Sequence, residues 1–129
     1  MASVQEFQVT FDCAEPQLVA RFWCEALGYV LAPGAEEETS QSACVDPTGT
    51  GPRLYFQQVP EGKTVKNRVH LDIRVGAGLV AQERVAALEA AEARLLPLGG
   101  QRVRLMLADE GNESCLVMQD VEGNEFCLD

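Results

Sequence analysis

The chain has 129 residues, is 47% hydrophobic and carries a formal net charge of −10. This length and composition describe one globular domain, residues 1–129, able to bury about two-thirds of its unfolded surface, and they exclude a disordered chain. The acidity argues against nucleic acid and anionic membrane as partners, and no apolar run approaches the ~18 residues of a membrane span.

The N-terminal residues show no basic region followed by an apolar core, so no signal peptide is expected. The five cysteines (Cys13, Cys24, Cys44, Cys115 and Cys127) are odd in number and widely spaced, and none forms a CxxC pair. Reduced thiols and a cytoplasmic location are the expectation.

Residues 6–11 alternate. Phe7, Val9 and Phe11 form an apolar face and Glu6, Gln8 and Thr10 a polar one, the pattern of a half-buried strand. Glu15 and Pro16 then mark a helix start. Leu18, Val19, Phe22, Trp23, Ala26 and Leu27 recur at helical spacing, which makes Phe22 and Trp23 core residues, and Gly28 is the stop. A short strand is expected at 29–31, a loop at 33–40, a strand at 42–46, a turn at 47–52 and a fourth strand at 53–59. In that fourth strand Tyr55 and Gln57 share a face.

The connector at 60–67 brings Lys63 and Lys66 close to Arg68. In so acidic a chain this reads as a solvated loop or as an anion-attracting flap at a pocket mouth. Residues 68–75 alternate over eight positions, with Val69, Leu71, Ile73 and Val75 on one face. Arg68, His70, Asp72 and Arg74 form the other, and His70 is the sole histidine. A histidine beside a carboxylate on a polar strand face is a candidate ligand, a candidate base, or neither.

Residues 80–96 read as a second helix with Ala81, Val85, Leu88 and Leu95 on one side. Strands follow at 101–106, 114–118 and 125–128. The tetrapeptide Glu-Gly-Asn-Glu occurs at 110–113 and again at 122–125, each time as a turn signal beside a strand. The order is therefore strand, helix, three strands, twice over, with module one at about 5–60 and module two at about 67–129. Gln8 and His70 occupy matching places. Helices that cover one face of each sheet give an α+β fold, and the free faces suit a concave, polar-lined cleft for a small molecule.

The paired βαβββ pattern resembles the vicinal oxygen chelate superfamily, which includes glyoxalase I, bleomycin-resistance proteins, fosfomycin-resistance enzymes and extradiol dioxygenases. Residues 11–16 run into 20–23 and 26–29 like the first strand and helix of that family. Residues 66–72 look like the first strand of its second module. Residues 120–128 are similar to its closing D-P-x-G-N-x turn and strand, with Val121 in place of proline. The likeness covers almost the whole chain and is closest to the glyoxalase-like domain branch.

This resemblance implies a glyoxalase/bleomycin-resistance-type fold, a homodimer and a small-molecule ligand. In metal-dependent members the ligands lie on the first and last strands of each module. Gln8, His70 and Glu125 fall at such places, with Tyr55 or Gln57 standing where a further glutamate is usual. They would hold one divalent ion (Zn, Ni, Mn or Fe), with Glu125 doubling as a catalytic proton shuttle. Tyr55, Gln57, Asp72, Lys63, Lys66 and Cys127 would line the ligand site. The alternative for His70 is a hydrogen bond to Glu125 or Asp72 without metal, and for Cys127 a small buried hydrophobe.

Three functions are consistent with this reading. One is a metal-dependent lyase, isomerase or other enzyme acting on vicinal oxygens. The second is a metal-free binding or drug-sequestering protein of the bleomycin-resistance kind. The third is a binding subunit without chemistry of its own.

Overall fold

The computed structural model describes residues 2–129. Contacts divide the chain into two compact units that meet at Gly62 and Lys63, inside the polar connector at 60–67.

The first unit runs β1 (Val9–Cys13), α1 (Pro16–Leu27), β2 (Val30–Leu31), a 3-10 turn (Ala35–Glu37), β3 (Gln41–Val45) and β4 (Leu54–Gln58). Its sheet has the order β1-β4-β3-β2. β1 and β4 are parallel, and the other neighbours are antiparallel. A parallel pair requires a long crossover, here supplied by α1 together with β2 and β3.

Pro16 stands in the first turn of α1, where its missing N–H costs no hydrogen bond. Gly28 ends the helix at φ 71°, a left-handed conformation that strains any residue with a Cβ. Tyr29 N–H then returns to the Cys24 carbonyl at 3.0 Å. The helix packs against β3 and β4. Phe22, Trp23, Val19, Leu54 and Phe56 are essentially inaccessible to solvent. The Phe11 ring lies 5.1 Å from Trp23 and 5.2 Å from Phe56, tilted against both.

The second unit runs β5 (Asp72–Ile73), α2 (Ala81–Leu95), a 3-10 turn (Leu96–Leu98), β6 (Gln101–Met106), β7 (Cys115–Gln119) and β8 (Glu125–Leu128). The sheet order, β5-β8-β7-β6, repeats the plan of the first unit, with β5 parallel to β8. Leu116, Met118, Phe126 and Leu128 on the sheet and Leu88 and Leu95 on α2 are all fully buried, and α2 packs against β7. This is the expected α+β architecture of two βαβββ modules.

Three local expectations are corrected. The alternation at 68–75 suggested an eight-residue strand, but only Asp72 and Ile73 pair. β8 is four residues long, and its parallel neighbour reaches only Cys127 and Leu128. The first strand starts at Val9, which leaves Phe7 outside the ladder and 69% exposed. The buried face of α2 is Arg84, Leu88, Ala91, Glu92 and Leu95, while Ala81 is exposed.

The charged members of that buried face are satisfied. Arg84 donates to the Ser114 carbonyl at 2.9 Å and the Gly76 carbonyl at 3.0 Å. Glu92 accepts two 2.7 Å hydrogen bonds from Arg102 on β6, a bidentate pair that ties the edge strand to the helix.

Phe56→Ala removes a buried ring wedged between α1 and β1. It should lower the free energy of unfolding by about 3–5 kcal/mol. Urea titration checks this: the midpoint should fall while the slope stays constant.

Candidate functional site

The polar face of each sheet is built where the first and last strands of a module run side by side. In the second unit Asp72 on β5 is the direct register partner of Cys127 on β8. Cross-strand partners project to the same face. His70, two residues before Asp72, turns its Nδ1 to the Asp72 carboxylate at 2.7 Å. One ligating atom from each of His70, Asp72 and Cys127 lies within 4.8 Å of the other two. Among the described residues, this is the cluster of histidine, cysteine and acidic side chains close enough to share a metal ion.

Burial pushes the Cys127 thiol up to about 11, and the nearby Asp72 carboxylate adds to the rise. The sulfur is therefore a protonated thiol at neutral pH, and ligation of a metal requires loss of that proton. The His70 and Asp72 side chains are both more than two-fifths exposed. Whether Nδ1 carries the proton decides if this pair is a hydrogen bond or two adjacent donors to one ion.

Glu125 does not belong to that cluster. Its Oε1 accepts the Asn67 N–H at 2.8 Å and lies 3.1 Å from the Lys63 ammonium. The Asn67 side-chain amide donates to the Glu125 carbonyl at 3.3 Å. Burial alone would raise this carboxyl, but the bonds from Asn67, Lys63 and Gln119 outweigh it and hold the group at about 2. Such a carboxylate accepts a proton poorly at neutral pH. Its evident work is to clamp the connector onto the start of β8. Lys63 is thereby paired, and Lys66 donates to the Asn67 carbonyl at 3.3 Å.

In the first unit the corresponding face carries Gln8, Thr10 and Asp12 opposite Arg53, Tyr55 and Gln57. Tyr55 is the register partner of Thr10, and Gln57 that of Asp12. Gln57 donates to the Asp12 carboxylate at 2.7 Å. Gln8 donates to Thr10 at 3.2 Å and accepts from Arg53 at 2.8 Å. Tyr55 donates its hydroxyl to the Gln41 side chain.

The sequence points to Gln8, Tyr55 and Gln57 on this face but not to Arg53, Asp12 or Gln41. The signal for Arg53 was available, because it opens the same alternation that sets Tyr55 and Gln57 on one face. Asp72 and Cys127, named as lining residues, stand beside His70. Glu125, named as a ligand, is held elsewhere on the same sheet.

Glu125 also has a consequence for stability. Its folded value lies below the ordinary carboxylate value of 4.5. Its bonds therefore stabilise the protein fully above about pH 4.5, and that contribution fades as pH falls toward 2. Glu125→Gln should be less stable than the parent at pH 7, and the gap should close in acid. Thermal unfolding of both metal-free proteins between pH 7 and pH 2.5 measures it.

Comparisons with known proteins agree with this architecture. A family model described as a glyoxalase-like domain matches residues 8–128. No curated protein was found to match the sequence. Among solved structures, a variant of the fosfomycin resistance protein FosX from Listeria monocytogenes, complexed with Mn(II) and 1S,2S-dihydroxypropylphosphonic acid, superposes with a TM-score of 0.70 at 10% identity. The match covers 99% of this chain and 90% of that one.

A glyoxalase/bleomycin resistance protein/dioxygenase family enzyme from Burkholderia phytofirmans PsJN gives a TM-score of 0.68 at 11% identity, with 94% of each chain covered. The oxidase ChaP-H2 gives 0.61 at 15% identity, covering 98% of this chain and 93% of its own. At these identities the structural likeness shows the fold. No helix among the described residues is long and apolar enough to cross a membrane. The family match spans nearly the whole chain, and the protein belongs to the glyoxalase-like domain family.

Proposed function

We propose that the protein is a small-molecule-binding, metal-dependent enzyme that acts on a substrate with adjacent oxygen atoms, as a lyase or isomerase would. One observation carries this reading: a histidine, a carboxylate and a thiol converge within 4.8 Å on one polar sheet face. An imidazole, a carboxylate and a sulfur suit a borderline ion such as Zn(II) or Fe(II) better than a hard ion. Three protein ligands leave a coordination position open, the pattern of catalytic sites.

When bound, the ion would supply Lewis acidity to the oxygens of the substrate. The 2.7 Å between His70 Nδ1 and Asp72 Oδ1 is a separation that two ligands of one ion would share, and Cys127 would close the third side of the donor set. Gln8 and Glu125, the ligands that the superfamily resemblance suggests, are engaged with Arg53 and with Asn67 and Lys63. The metal-free binding protein is the second reading. The 2.7 Å His70–Asp72 hydrogen bond favours it, because that bond satisfies both groups without an ion. Homodimer formation belongs to this proposal too. Val103 and Met106 on edge strand β6, with Leu107 after it, expose apolar surface that a second copy would cover.

Cobalt(II) added to chelator-stripped protein distinguishes the readings. One equivalent should bind and give a thiolate-to-cobalt charge-transfer band. His70→Ala and Cys127→Ser should each lose the band, whereas Gln8→Ala and Glu125→Gln should keep it. Binding that survives Cys127→Ser but not Glu125→Gln would transfer the ion to the other donor set. Absence of stoichiometric binding would leave the metal-free reading. Light scattering of the eluted protein at micromolar concentration should report twice the chain mass; the chain mass alone would reject the homodimer.

A further inference from the structure

We propose that Arg53 is the anion-recognising residue of a ligand site on the first unit, and that its ligand is a small organic carboxylate. Its guanidinium is held on two sides by neutral groups. One nitrogen donates to the Gln8 side-chain oxygen at 2.8 Å, and the guanidinium carbon lies 5.3 Å from the centre of the Tyr55 ring. These contacts orient the planar fork and leave its charge uncompensated.

Three other cations are paired with carboxylates. Lys63 pairs with Glu125, Arg74 with Asp129, and Arg102 with Glu89 and Glu92. Among the described residues, no carboxylate lies within 4.0 Å of the Arg53 guanidinium. In a chain with a net charge of −10, a fixed and unpaired guanidinium is the natural landing place for an anion.

Arg53 also lines two cavities. The larger is about 660 Å³ and is walled by Phe7, Gln8 and the turn from Gly49 to Pro52. The smaller, about 140 Å³, is lined by Gln41, Ser42 and Tyr55 as well as Arg53. The larger volume lies in the range of small-ligand pockets.

The charge of the ligand follows from the neighbours. Glu6 lines the larger cavity, and Asp12 lies on the same sheet face as Arg53. One guanidinium offsets one negative charge there, and a phosphate dianion would meet about twice the repulsion from these carboxylates that a carboxylate monoanion meets. A carboxylate also matches the fork of the guanidinium in a bidentate pair. The proposal does not rest on the metal reading, and chelator in the test keeps the two apart.

The test is an amide-detected NMR titration in chelator with benzoate, its neutral analogue benzamide, and inorganic phosphate. Benzoate should give saturable shifts centred on Gln8, Arg53 and Tyr55. Benzamide and phosphate should each bind about tenfold more weakly or not at all. Arg53→Gln should weaken benzoate about tenfold, and Arg53→Lys, which keeps the charge but loses the fork, should weaken it severalfold. Thermal unfolding shows whether each variant is folded. If Arg53→Gln is not, Arg53→Lys carries the test. Equal affinity for benzoate and benzamide, no saturable benzoate shift, or unchanged benzoate binding in the folded variants would overturn the proposal. Tighter binding of phosphate than benzoate would overturn the carboxylate assignment.

Discussion

The parallel pairing of first and last strands is the constraint on which both candidate sites depend. Each module opens with β1 or β5 and returns, after a helix and two strands, to lay β4 or β8 beside it. Parallel neighbours need such a long connection, so the residues they bring together are remote in sequence. Asp72 meets Cys127, and Gln57 meets Asp12, for this reason alone. The helix covers one face of the sheet, which leaves the opposite face as the place where polar side chains from both strands can gather. The chemistry of the protein is therefore written in register, and a shift of one residue in either ladder would turn these side chains into the core.

Charge is distributed over this frame in an economical way. The chain holds twice as many acidic as basic residues, 20 against 10. Several of its cations are committed to structure. Arg84 caps carbonyls inside the second unit, Arg102 joins β6 to α2, and Lys63 secures the connector to Glu125. The Glu125 clamp shows how strong such a commitment is, since it outweighs the cost of burying a carboxylate. Arg53 differs because its partners are an amide and an aromatic ring. They restrain the side chain without cancelling its charge, so the ordering cost of binding an anion is largely met in the folded state.

These features were unequally legible in the sequence. Helix α1 could be read because Pro16, the apolar stripe and Gly28 all give the same answer. The alternation at 68–75 correctly marked an amphipathic segment but overstated the strand. Pairing depends on the length of β8, which no local pattern near His70 reports. The buried face of α2 was misplaced because Arg84 and Glu92 lie on it. Hydrophobic periodicity treats both as surface residues, whereas carbonyls and Arg102 make their burial tolerable. At the site, His70 and Asp72 are visible as an i, i+2 pair. The choice between Cys127 and Glu125 as the residue beside them is set by the β5–β8 register, which alternation leaves undetermined. Phe7 shows the same limit from the apolar side, matching the pattern of β1 while lying outside it.

The two Glu-Gly-Asn-Glu segments carry this lesson one step further. In both, an aspartate ahead of the repeat does the folding work. Asp109 accepts the N–H groups of Gly111 and Asn112. Asp120 accepts those of Glu122 and Asn124 and the Asn124 side-chain amide. The first turn precedes β7 and serves as a solvent-facing loop. The second delivers β8 in the register that sets Cys127 against Asp72. The aspartate of the second turn is 2% exposed, so its carboxylate is committed to holding the turn. The same tetrapeptide thus has two consequences, and the difference lies in the strand that follows and in the neighbour that receives it. Glu125, the last residue of the second copy, becomes the clamp on Asn67 because it starts β8, while Glu113, at the same place in the first, is an exposed loop residue.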